Sequence, residues 1–279
     1  MRDPLLPGPM WMIGCGNMAG AMLQGWLARG ADPRHITVIR PSGKPAAEGV
    51  RVLTALPEDE VPALVLLGVK PQMLDAVAPS LAPALDPETI LVSILAGVEA
   101  QSLRERFAAP RSIVRAMPNL PVRLNKGVIA LHAKEADGRA REIVETLMAA
   151  IGRTLWFDEE DLFQVAGIVG GAGPAFLFRF IDALAKAGEG LGLAPADAAS
   201  LALGMVEGAG AQAAASDHSP AELARQVASP GGTTEAGLAM LDAEDGLEAL
   251  VRRTLEASRR RSREMAEAAR GRHQGPDPN

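Results

Sequence analysis

The sequence predicts an α/β chain with a doubly wound, mostly parallel sheet first and an all-helical domain after it. Three observations carry that prediction. Short apolar runs alternate with helical stretches up to residue 157. One of those runs, 64–69, is apolar throughout, as a strand covered on both faces requires. After residue 158 no convincing strand follows, and Phe176, Leu177, Phe180, Ile181 and Leu184 recur at helical spacing.

Taken in order, strands are expected at 10–13, 35–39, 64–69, 89–95, 113–115, 127–132 and 154–157. Helices are expected at 17–29, 72–81 and 99–107, the first stopped by Gly30. In the second half, Pro174 and Pro195 suit the first turn of a helix, which tolerates proline. Ser219-Pro220-Ala221-Glu222 reads as a capping box with proline at the first helical position. A last helix is expected from about 244 to 269. The boundaries that follow are a disordered leader 1–9, a sheet domain 10–158, a helical domain 159–270 and a disordered tail 271–279.

Composition excludes several function classes. Twenty-eight Lys and Arg stand against 34 Asp and Glu, net −6, so no basic excess draws the chain to nucleic acid. One cysteine excludes an intramolecular disulfide framework and a Cys-rich zinc site, and fits a reducing cytoplasm. There is no tyrosine, which excludes a tyrosine acid. The four histidines, at 35, 132, 218 and 273, form no local metal motif, so no metal is expected. The longest uncharged apolar stretch, 165–178, is too short to cross a bilayer, and the N-terminus lacks the apolar block of a signal peptide. A soluble cytoplasmic chain with no membrane partner is the expectation.

Gly14-Cys15-Gly16-Asn17-Met18-Ala19 lies between the first strand and the first helix, which makes it the dinucleotide fingerprint of a Rossmann-type domain in its Ala-ended form. Gly14 serves the tight turn. Gly16 lets the backbone approach a pyrophosphate held by helix N–H groups at Asn17 and Met18. The second strand ends in Ile39-Arg40-Pro41-Ser42-Gly43-Lys44, with no carboxylate between Asp32 and Glu48. Arg40, Ser42 and Lys44 suit a 2′-phosphate, so NADPH is expected, with NADH as the alternative. Lys70 leaves the strand that begins at residue 64, at the sheet edge where ligands bind.

Two further segments stand out. Ala228-Ser229-Pro230-Gly231-Gly232-Thr233-Thr234 sits between two helices and collects uncharged donors at a helix N-terminus. It reads either as a carboxylate nest or as an ordinary interhelical loop. Gly167-Ile168-Val169-Gly170-Gly171-Ala172-Gly173 holds more glycine than a helix interior favours, which calls for close approach of a helix or a ligand.

Together these pieces resemble the pyrroline-5-carboxylate reductase family over about 10–265. The most specific part is 229–234 followed by Glu235-Ala236-Gly237-Leu238. Val69-Lys70-Pro71-Gln72, Ala96-Gly97-Val98, Met117-Pro118-Asn119 and Gly171-Ala172-Gly173-Pro174-Ala175 fall in the family's order and spacing. The resemblance implies NADPH on 14–19 and near Arg40, Ser42, Lys70 and Asn119, making 10–158 the dinucleotide-binding domain. It implies an imino-acid substrate whose carboxylate sits on Ser229, Gly231, Gly232, Thr233 and Thr234. The Thr234 hydroxyl would face the ring nitrogen as the catalytic donor.

The resemblance also gives 159–270 a substrate-binding and dimerisation role, with sites formed between interlocked chains and dimers assembled into larger rings. Asp217 and His218 lie near a position where some relatives carry an acid; a loop-capping role is the plainer reading. This sequence departs from the family at Leu120, where Thr is usual, at Ala172 and Phe176, which lose two hydroxyls, and at Ala228, where Ser is common. Each loss removes a hydrogen bond worth about 1 kcal/mol.

The expected chemistry is hydride transfer to a cyclic C=N bond, yielding L-proline. An iminium nitrogen can arrive protonated, so aligned uncharged donors suffice. Three alternatives are an imine reductase acting on a related cyclic imino acid, a non-catalytic dinucleotide-binding relative, and a 3-hydroxyacid dehydrogenase. The last needs a lysine where this chain has Leu177.

Overall fold

The computed structural model describes residues 5–271; the expected leader falls partly, and the expected tail almost wholly, outside them. Eight strands form one sheet: β1 (Met10–Ile13), β2 (Ile36–Ile39), β3 (Arg51–Leu53), β4 (Leu64–Leu67), β5 (Ile90–Ser93), β6 (Ser112–Met117), β7 (Gly127–His132) and β8 (Gly152–Trp156). Their order is β3-β2-β1-β4-β5-β6-β7-β8. All neighbours are parallel except β6 and β7, which pair Ala116 with Leu131 in antiparallel register. The order turns back between β1 and β4, the switch point at which an open parallel sheet binds ligands beyond its carboxyl edge.

Burial explains the strands. β1, β2, β4 and β5 are buried at every position, because helices cover both faces of the sheet. One core cluster gathers Met12, Met22, Trp26, Leu66 and Leu147; the cluster on the opposite face gathers Trp11, Leu67, Leu91 and Phe107. Helix α1 (Asn17–Ala28) buries Trp26 fully, and the Trp26 Nε1 donates to Leu147 O at 2.8 Å. Helices α2 (Leu74–Leu81), α3 (Ala100–Arg106) and α4 (Gly138–Ala149) complete the layers.

Two elements escape the sequence reading. β3 is a three-residue edge strand with an exposed–intermediate pattern, too short to show a period. α4 follows an Asp137 side-chain cap that accepts from Ala140 N at 2.7 Å. β4 ends at Leu67, two residues before the expected end, where Gly68 turns out of the sheet. Leu6, within the expected leader, is buried against the core.

The chain divides into two compact units, 1–172 joined by 258–279, and 173–257. This division by packing falls after the boundary expected at 158, because α5 (Glu160–Ala166) and a π turn at Gly167–Ala172 pack with the sheet unit. α5, the π turn and α6 (Gly173–Gly190) run as one helix, Glu160–Gly190, of 31 residues. It is long and apolar enough to cross a membrane by length and composition alone, and contains the uncharged stretch 165–178. The glycine segment does not break the helix; it is absorbed as a π turn. Pro174 is the second residue of α6 and so stands in its first turn, as expected, while the π turn joins α6 to α5.

The close approach expected at the glycine segment is made by the sheet. A Cβ on Gly167 would lie 1.9 Å from Met117 Sδ, at the end of β6. In the second unit α7 (Pro195–Ala215) carries proline in its first turn, and α8 (Pro220–Val227) has the expected capping box between Ser219 and Glu222. The Ser219 bonds hold the Glu222 carboxyl below its ordinary value. α9 (Thr233–Leu241) and α10 (Leu247–Gly271) follow; α10 starts three residues later than expected.

Candidate active site

The turn between β1 and α1 is fixed by what glycine permits. Gly14 has φ +83°, and a Cβ there would stand 2.9 Å from Val69 Cγ1 and 3.0 Å from Gly68 O. Gly14 N donates to Ile39 O at 2.8 Å, and Gly68 N donates to Ile13 O at 2.9 Å. Those bonds draw the ends of β1, β2 and β4 together at one edge. A Cβ on Gly16 would meet nothing within 4 Å. Gly16 also caps α1 with no side-chain hydrogen bond, and no acid stands in the first turn. The first N–H groups of α1, at Asn17 and Met18, are therefore uncapped beside the open space over Gly16, which suits an anion.

Arg40 leaves β2 at the same edge. Its guanidinium donates to Cys15 O at 3.4 Å and to Pro45 O at 2.6 Å, and also bonds Lys44 O. It is thus held between the fingerprint turn and the turn after β2. The Ser42 hydroxyl accepts from Lys44 N at 3.4 Å. Burial raises the Cys15 thiol above its ordinary value against the pull of Arg40, which keeps it neutral. Lys70 is exposed just after β4 and forms no ion pair among the described residues.

Asn119 is the one buried residue of this set; the others are half-buried or exposed. It is 5% exposed. Its Nδ2 donates to Gly170 O at 2.8 Å, and its Oδ1 accepts from Val128 N at 2.9 Å. Pro174 has no N–H for the carbonyl four residues before it, that of Gly170. Asn119 supplies a donor there and ties the π turn to the sheet.

A half-buried ion pair supports this corner, and sequence reasoning passed over it. Arg115, in the middle of β6, is paired with Glu160 at the head of α5, and Glu160 also accepts from Ala100 N at 2.9 Å. The Arg115 guanidinium lies 4.6 Å from the centre of the Phe163 ring. Burial lowers the Arg115 pKa, and Glu160 opposes the shift. The available signal was a lone arginine inside the apolar run Ile113-Val114-Arg115-Ala116, a charge that needs a partner if buried.

The second unit holds the other expected set on one loop. Gly232 N donates to Ser229 O at 2.9 Å, and Gly231 has φ +69°. With Pro230 in second position this is a type II turn. Gly232 caps α9 with no side-chain hydrogen bond, which leaves the first-turn N–H groups at Thr233 and Thr234. The side chains of Ser229, Thr233 and Thr234 are exposed. Gly231 N donates to Glu235 Oε2 at 2.7 Å. Asp217 and His218 lie on the exposed turn before α8, where His218 N donates to Ser216 Oγ at 3.0 Å. Among the described residues no group of His, Cys, Asp and Glu could hold a metal.

The structure thus brings Gly14, Gly16, Asn17, Met18, Arg40, Ser42, Lys70 and Asn119 to one sheet edge in the first unit. It brings Ser229, Gly231, Gly232, Thr233 and Thr234 to one turn in the second.

Comparison with known proteins covers the same two regions. A family model described as pyrroline-5-carboxylate reductase dimerisation matches residues 160–265. One described as NADP oxidoreductase, coenzyme F420-dependent, matches 10–97. Pyrroline-5-carboxylate reductase of Pseudomonas aeruginosa is 40% identical over 262 residues, covering 91% of this chain and 96% of that one. The solved structure of a pyrroline-5-carboxylate reductase from Coxiella burnetii superposes with a TM-score of 0.85 at 31% identity, covering 93% of this chain and 98% of that one. The Plasmodium falciparum pyrroline carboxylate reductase, solved with NADP bound, has a TM-score of 0.80 at 24% identity and shares the fold; 94% of this chain and 99% of that one are covered.

Proposed function

The chain belongs to the pyrroline-5-carboxylate reductase family, and from that premise we propose that it reduces the C=N bond of 1-pyrroline-5-carboxylate to L-proline, the last step of proline biosynthesis, with NADPH. The observation that carries the reading is the 40% identity to a pyrroline-5-carboxylate reductase over 91% of this chain and 96% of that one.

The sheet edge fits the cofactor. The open space over Gly16 and the uncapped N–H groups of Asn17 and Met18 take the pyrophosphate. Arg40, with Ser42 and Lys44 beside it, takes the 2′-phosphate, and Lys70 adds positive charge. When bound, NADPH supplies the hydride. Asn119 serves by position: both ends of its amide hold protein backbone, and it sets where the π turn lies.

The loop from Ser229 to Thr234 holds the substrate carboxylate with neutral donors at the N-terminus of α9. The Thr234 hydroxyl donates to the ring nitrogen and so fixes which ring face is presented. No strong acid is needed, since the iminium nitrogen arrives with its proton. The helical domain joins two chains, and larger rings of such dimers extend the assembly. The apolar length of Glu160–Gly190 is read as part of this subunit contact, since the dimerisation match begins at residue 160. The single half-buried cysteine fits a cytoplasmic setting.

The test is NADPH oxidation by purified protein with 1-pyrroline-5-carboxylate. The six-membered homologue runs in parallel, because Leu120, Ala172 and Phe176 replace hydroxyl-bearing residues of the family. Turnover is expected with the five-membered ring. Thr234→Ala is expected to lower kcat by about tenfold or more and leave the NADPH KM unchanged. A folded protein that binds NADPH and leaves both imines untouched contradicts the reading.

A further inference from the structure

We propose that Glu235 is a positioning residue that locks the substrate loop by holding the Gly231 N–H of its turn. The inference rests on the reductase reading above.

The argument begins with the turn. Ser229-Pro230-Gly231-Gly232 closes through Gly232 N to Ser229 O at 2.9 Å. Proline fixes a negative φ in second position, and Gly231 has φ +69° in third, so only the type II form fits. Types I and II differ by a flip of the central peptide, here between Pro230 and Gly231. The flip exchanges the directions of the Pro230 carbonyl and the Gly231 N–H. Nothing inside a type II turn bonds that N–H. Here Glu235 does, through Oε2 at 2.7 Å.

The position of Glu235 explains the reach. It is the third residue of α9, from which a Glu side chain turns back over the helix start. The partner is displaced by one residue from an ordinary capping box, because Gly232 N is already used by the turn. A carboxylate on an N–H makes a stronger bond than a neutral acceptor. It holds the central peptide with its N–H toward Glu235. The Gly231 N–H is thereby spent, and the donors left at the loop are those of Thr233 and Thr234, where α9 has no side-chain cap.

A charge-only role makes the opposite prediction. Glu235 as a bare negative charge repels a substrate carboxylate, so its removal would tighten binding. As a lock, its removal loosens binding.

The experiment compares wild type, Glu235→Ala and Glu235→Gln in steady-state reduction of 1-pyrroline-5-carboxylate by NADPH, with L-proline binding by calorimetry. Glu235 is exposed, so both variants fold. The Ala variant is expected to raise the imino-acid KM and weaken L-proline binding by about five- to tenfold, with the NADPH KM unchanged. The Gln variant keeps an acceptor oxygen and should stay within about twofold of wild type. An Ala variant with unchanged or lower imino-acid KM overturns the lock, as does a Gln variant as impaired as Ala. Wild type that leaves the imine untouched overturns the functional reading, and this inference with it. Wild-type turnover with an unaltered Ala variant overturns the inference alone.

Discussion

Strand β4 and helix α6 are both apolar, yet every residue of Leu64–Leu67 is buried while Phe178 of α6 is 63% exposed. The contrast runs through both units. The sheet unit closes two core clusters, one on each face. The helical unit buries little beyond Ala185, Ala198 and Ala202, and exposes Leu177, Phe180, Leu201 and Leu203. So many large apolar side chains left exposed mark a unit that interacts, because water does not tolerate them cheaply. One half of the chain completes its own core, and the other, which matches a dimerisation model, leaves apolar surface for a second chain to cover.

The largest effect should come from charging the open face. Phe178→Asp with Leu203→Asp would cost little if these residues truly faced water, within about 0.5 kcal/mol. In a subunit contact, each buried carboxylate costs several times that. The expected outcome is loss of the oligomer by sedimentation and loss of NADPH oxidation. A still-assembled, active variant would break the comparison. Next comes the closed core: Trp26→Ala should cost about 3–5 kcal/mol in denaturant unfolding, since the ring is fully buried and its Nε1 bonds Leu147 O. Arg40→Ala should raise the NADPH KM by about tenfold and leave the NADH KM unchanged, because only the former carries the 2′-phosphate.

The smallest effect sharpens the sheet unit alone. Hydrogen bonds from Arg34 hold the Asp32 carboxyl down to about 2. A lowered folded pKa gives stability that is present above the unfolded value, near 3.9, and is lost as pH falls toward 2. Asp32→Asn should therefore melt slightly below wild type at pH 6 and together with it below pH 2. The pair is exposed, so the gap stays small.

Legibility in the sequence followed burial as well. The strands that read clearly, β1, β2, β4 and β5, are buried throughout, so their composition has only one explanation. β3 sits on an edge and carries no such constraint. The fingerprint turn was legible because Gly14 and Gly16 each answer a steric demand. The helical loop showed its donors, while the bond from Gly231 to Glu235 depends on a turn type that composition alone does not announce. The glycines called for a close approach, but that the sheet makes it was not legible, because propensity counts glycines and cannot see Met117 pressing on Gly167 or Asn119 bonding Gly170. Arg115 and Glu160 lie 45 residues apart and become a pair only when β6 and α5 meet.

One measurement joins the open face to the chemistry: sedimentation of wild-type protein through a solution of NADPH and 1-pyrroline-5-carboxylate, with absorbance followed in the moving band. The account predicts that oxidation travels with a species of at least twice the 29.1 kDa chain mass. Oxidation travelling with a single chain would contradict it.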